Sequence, residues 1–128
     1  MADSNLIGTS PLSFKAGATV NINRFVKLNT TAGEVIQGAA GTDIVIGVAA
    51  LGGAAADNIP VQMAGKAKVT AGAAVALNAQ VTSDATGRAV TVATGNTAAG
   101  LALQAAGAAG DVIEVLLATP NVPGPVVP

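Results

Sequence analysis

The chain has 128 residues, 51% of them apolar, with six Lys and Arg against seven Asp and Glu, and neither histidine nor cysteine. A length that fits one domain and a net charge of −1 without any run of like charge exclude the basic footprint that nucleic-acid binding needs. Missing His and Cys remove Ser–His–Asp and Cys–His catalysis, His-based zinc sites and disulfides, so neither an enzyme nor a cofactor is expected.

In chain order, residues 1–11 read as a polar, extended arm with one apolar pair, Leu6-Ile7. Met1–Asn5 carries no basic segment followed by an apolar stretch, and the expectation is synthesis in the cytoplasm without a secretory signal. Short β-branched or alternating runs follow, bounded by Gly, Asn, Asp and Thr, which is the pattern of strands and turns. They predict strands at Leu12–Ala16, Thr19–Ile22, Phe25–Leu28, Glu34–Gln37, Ile44–Ala50, Ile59–Ala64, Ala67–Thr70, Ala74–Leu77, Arg88–Ala93, Gly100–Gln104 and Val112–Leu117.

The longest apolar run, Ile44 to Ala56, is broken by glycine and falls short of the roughly 20 residues of a membrane helix, so no membrane partner is expected. Thr97–Ala109 has the Ala and Leu content of a helix. Its glycines, Gly100 and Gly107, with Gly110 just beyond, each cost about 1 kcal/mol relative to Ala in a helix and favour a strand followed by a loop. Residues 119–128, with Pro120, Pro123, Pro125 and Pro128, can extend neither a ladder nor a helix and read as a Pro-rich tail.

Two segments, about 15–64 and 68–117, carry the same order of landmarks within a single β domain spanning 12–118. Lys15-Ala16-Gly17-Ala18 and Thr70-Ala71-Gly72-Ala73 open them. Val26-Lys27-Leu28-Asn29 then leads through Gly33 to Gly47-Val48-Ala49, Asp57, Ile59 and Val61; Val75-Ala76-Leu77-Asn78 leads through Gly87 to Gly100-Leu101-Ala102, Asp111, Ile113 and Val115.

Chemistry-bearing motifs are absent from this pattern. Asp43, Asp57, Asp84 and Asp111 fall at predicted turns, where a carboxylate bonds its own backbone. Asp84-Ala85-Thr86-Gly87 lacks the alternating ligands of a calcium loop, so no metal site is expected. Gly38-Ala-Ala-Gly41 and Gly107-Ala-Ala-Gly110 fit no phosphate-binding loop, and Lys66 and Lys68 read as a solvated strand face. Phe14 and Phe25 are the only aromatic residues. A core of small side chains buries little area per residue, and such a subunit gains by association.

The ordered landmarks resemble the short β-rich decoration, or head cement, proteins of bacteriophage capsids. The carriers are Ala16-Gly17, Ile46-Gly47-Val48-Ala49, Ala73–Thr82, then Ser83-Asp84-Ala85-Thr86-Gly87-Arg88-Ala89-Val90, and the ending from Gly100-Leu101-Ala102 through Asp111-Val112-Ile113-Glu114-Val115-Leu116-Leu117. The resemblance implies a β-sandwich or β-tulip-like barrel built from two related β-modules. It also implies a structural protein on the outer surface of the virion, made in the host cytoplasm, that binds the major capsid protein and ties neighbouring capsomers together as a homo-oligomer, a trimer being favoured. Leu6, Ile7, Leu12 and Phe14 are the expected capsid or subunit contacts. Two alternatives stay open: a carbohydrate- or host-surface-binding β-module, which the lack of Trp and Tyr disfavours, and a subunit of a phage fibre or tail.

Overall fold

The computed structural model describes residues 12–118, and all regular structure among them is strand. The arm at 1–11 and the tail at 119–128 lie outside the described residues. The strands are β1 (Leu12–Ala16), β2 (Phe25–Leu28), β3 (Glu34–Gln37), β4 (Val45–Ala49), β5 (Asn58–Gln62), β6 (Lys66–Thr70), β7 (Gln80–Ser83), β8 (Ala89–Thr91), β9 (Gly100–Ala102) and β10 (Val112–Leu117). The all-β reading holds, and the stretch from Thr97 to Ala109 contains β9 and turns.

The first five strands close into a barrel in the order β1-β3-β2-β4-β5; the last five form a sheet in the order β6-β10-β9-β7-β8. Both units use the same pairing. β1 with β5 and β6 with β10 are antiparallel, β2 with β3 and β7 with β8 are hairpins, and β2–β4–β5 is matched by β7–β9–β10. They differ at the closing seam. Lys15↔Glu34 and Ala16↔Val35 close the barrel in parallel, whereas Ala71↔Ala89 is an isolated parallel bridge.

Registers align the units residue by residue. Val26 faces Gly47 as Val81 faces Gly100, and the bridge Val20↔Gly53 is matched by Val75↔Ala106. The counterpart of Val75-Ala76-Leu77-Asn78 is thus Val20-Asn21-Ile22-Asn23, not Val26-Lys27-Leu28-Asn29. Its last residue has a left-handed backbone in both units, φ 62° at Asn23 and 73° at Asn78, a conformation that Asn tolerates better than most residues. Their amides donate to Ala49 O and Ala102 O, each at 2.8 Å. This turn explains why Thr19–Ile22 and Ala74–Leu77 are not strands despite their alternation: each keeps one bridge before the chain reverses. β7, Gln-Val-Thr-Ser at 80–83, is a strand that the sequence pattern missed.

Two apolar clusters fill the fold. One lies in the barrel and joins Val26, Val35, Ile46, Ala49, Ile59 and Val61. The other joins Phe25, Val45 and Val48 of the barrel to Val69, Val81, Ile113 and Val115 of the second unit, so the barrel's outer wall is the floor of the second core. β4 is consequently buried along its whole length, covered on both faces. Ala56 holds φ 77° where its counterpart Gly110 holds 98°. A left-handed Ala carries about 1 kcal/mol of strain, and Ala56→Gly should raise stability by up to about that amount, as a melting curve would show; an unchanged or lower Tm would count against strain there.

Candidate functional site

Of the four expected contacts, Leu6 and Ile7 lie outside the described residues. Leu12 is exposed and sits opposite Val61 in the β1–β5 pair. Phe14, two residues on and on the same face, is half-buried and packs against the barrel core. The pairing of β1 with β3 begins only at Lys15, so residues 12–14 have a ladder partner on one side, β5, among the described residues.

Further apolar side chains face solvent that sequence reasoning did not single out. Leu28 and Ile44 sit side by side at the ends of β2 and β4 and line a depression of about 410 Å³ with Lys27, Thr42, Asp43 and Ile46. Lys27 Nζ lies 3.0 Å from Asp43 Oδ2 at its rim. Ile22 and Leu77 are about half and two-thirds exposed at equivalent turns. The available signal was the left-handed Asn after each, which turns the chain before the apolar residue can be covered.

A second depression, about 240 Å³, lies where β6 faces the barrel wall and is lined by Asn23, Val48, Ala50, Gln62, Lys66, Ala67 and Lys68. Lys66 Nζ is 3.6 Å from Glu114, and Lys68 sits opposite the same residue in the β6–β10 pair.

The described aspartates serve the turns. Asp43 accepts from Ala39 N and Ala40 N at 2.7 and 2.9 Å, Asp57 from Ala54 N at 2.9 Å, and Asp111 from Gly107 N at 2.9 Å. Asp84 accepts from Thr86 N at 2.9 Å, Arg88 N at 2.8 Å and Arg88 Nε at 3.0 Å. Burial alone would raise the Asp84 pKa, but these donors and the Arg88 charge together outweigh it and hold the group below the ordinary carboxylate value. A depressed carboxylate stabilises the fold above its unfolded pKa, and that contribution is lost as pH falls through the folded value. Asp84→Asn should therefore cost about 1–2 kcal/mol at neutral pH, and the difference from the parent should shrink below about pH 4. Denaturant titrations at pH 7 and pH 3 check this; an equal difference at both would show that the charge plays no part.

Among the described residues no cluster of three or more Asp and Glu could hold a metal ion. What this arrangement offers is surface: one closed barrel, an open sheet with edges at β6 and β8, and scattered exposed aliphatic residues.

A family model described as phage cement protein matches residues 6–117. Among solved structures, the chain is similar to the N base of the head fiber gp8.5 of bacteriophage phi29, with a TM-score of 0.72 and 21% identity over 84% of this chain and 92% of that one. That likeness is one of fold. No curated protein matches the chain.

Proposed function

Since the chain belongs to the phage cement protein family, a capsid-associated structural family, we propose that it binds the outer surface of a phage capsid and bridges neighbouring capsomers. The family match over residues 6–117 is the observation that carries this reading. In this proposal the partner is the major capsid protein, the working form is a homo-oligomer, with a trimer favoured, and the role is mechanical rather than catalytic. Synthesis is in the host cytoplasm. The β body at 12–118 acts as two copies of one module, 15–64 and 68–117, flanked by attachment segments at 1–11 and 119–128. Leu6, Ile7, Leu12 and Phe14 supply contacts from the first of these, and the exposed position of Leu12 supports that assignment.

Attachment repeated over a regular shell needs no large single contact, because each further engagement is intramolecular and benefits from high effective concentration. The test is co-sedimentation of the purified chain with expanded capsids of its phage that lack the protein, followed by heating of bound and bare shells. Saturable binding and a higher disruption temperature are expected; binding without any gain in disruption temperature would remove the bridging role. The likeness to a head fibre base favours a second reading, in which the chain is a subunit of a phage fibre or tail structure. Self-polymerisation of the purified chain without capsids would support it.

A further inference from the structure

Among the described residues β6 is an edge strand whose partner is β10 alone. Along it the backbone groups alternate in direction. Leu117 N donates to Gly65 O at 2.9 Å and Ala71 N to Asp111 O at 2.7 Å, so residues 65, 67, 69 and 71 face β10. Thr70 N donates the other way, to Asn23 O of the barrel at 2.9 Å. Lys66 and Lys68 share the direction of Thr70 and turn their N–H and C=O groups into the 240 Å³ notch beside Gln62, Val48 and Ala50. Among the described residues these four groups meet no backbone partner.

An unpaired edge is a template for an added strand, in which main-chain bonds give affinity and side chains give selectivity. The side chains here choose the occupant. A second copy pairing edge to edge in antiparallel fashion would bring the lysines of one chain against those of the other, and like charges directly opposite one another are unfavourable. Glu114 offsets one of the two positive charges from the β10 side, its carboxylate 3.6 Å from Lys66 Nζ. The other remains for a partner.

We propose, resting on the capsid-binding reading above, that β6 receives an extended segment of the shell protein as an added strand. It pairs with the outward groups of Lys66 and Lys68 and sets a carboxylate against the Lys68 ammonium. This turns a face that looks merely solvated in the sequence into the recognition edge.

Two substitutions test this contact. Lys68→Pro removes the outward N–H together with the ammonium and leaves the ladder to β10 untouched, since proline is tolerated on an edge where its nitrogen faces away from the sheet. Lys68→Glu keeps the backbone and reverses the charge. Both are compared with the parent chain for binding to expanded capsids lacking the protein, after melting curves establish that they fold. A photo-crosslinker placed at position 68 identifies the neighbour independently of affinity. The expected result is a loss of about tenfold or more in affinity for each variant and a crosslink to the shell protein. Parent binding that is undiminished in both variants, or a crosslink confined to a second copy or to the chain's own residues 1–11, would overturn this inference and leave the capsid-binding reading standing. No binding by the parent chain would overturn both.

Discussion

Replacing Phe25 by alanine is expected to lower stability by about 3–5 kcal/mol, the usual cost of removing a fully buried phenylalanine. Phe25 has no exposed surface, although it begins a barrel strand, because its side chain lies in the cluster shared with Val69, Val81, Ile113 and Val115 of the second unit. Its amide donates to Gly87 O at 2.7 Å, in the turn between β7 and β8. Its counterpart in the second unit is Gln80, which is exposed because, among the described residues, no further unit covers that wall. The contrast fixes the role of the ring: it belongs to the junction rather than to the module. In a domain of this size about 1 kcal/mol moves Tm by roughly 3–5 °C, so a fall on the order of 10 °C or more is expected. The same cavity should loosen the two units from each other, and unfolding monitored by two probes should no longer coincide. A loss below about 1 kcal/mol with coincident transitions would show that the junction is held by other groups.

Gly47→Ala should cost about 2–3 kcal/mol for the opposite reason, overpacking. A Cβ at Gly47 would lie 2.3 Å from Gln62 O and 2.8 Å from Val61 Cγ1, so β4 and β5 could not keep their spacing. A barrel resists such a shift because each strand is held on both sides. Gly100, the matching residue, meets the same obstruction from Leu116 O and Val115 Cγ1, each at 2.6 Å. Gly100→Ala should be milder, since its sheet is open and β8, at the far edge, can move. Denaturant melts of the two variants give the comparison, and an equal or larger loss at Gly100 would contradict the difference in closure.

These two sites also show what was legible before folding. The strands Phe25–Leu28 and Glu34–Gln37 were readable to the residue because β-branched and apolar positions end at turn residues on both sides. The apolar continuity of Ile44–Ala50 was readable too, but its cause was not: β4 is buried on both faces because a second unit packs on the barrel. β7 was hidden for the same reason. Thr82 and Ser83 are buried polar residues, and Thr82 Oγ1 reaches Gly41 O at 3.1 Å while Ser83 Oγ reaches Asp84 O at 2.8 Å. Such partners satisfy hydroxyls in a core, yet Gly41 lies in a segment that no local pattern connects to β7. Of the expected contact residues, Leu12 and Phe14 were placed on the right strand, but the half-burial of Phe14 depends on closure of the barrel by β5. The notch at β6 is invisible in sequence, since edge status is a property of sheet order.

The way the barrel closes sets a timetable for making the protein. One of its ladders joins the first strand to the fifth, pairing residues 43 to 49 positions apart, from Lys15 with Asn58 to Leu12 with Val61. The second unit repeats the demand, with pairs 42 to 50 positions apart between β6 and β10. Contacts this distant in sequence fold slowly, on a scale of milliseconds to seconds for all-β chains, whereas the hairpin of β2 and β3 is local and can form in microseconds. During synthesis the barrel can close only once β5 has left the ribosome, and the second core waits for β10. A nascent chain therefore exposes the outer face of β4 until β10 has emerged to cover it.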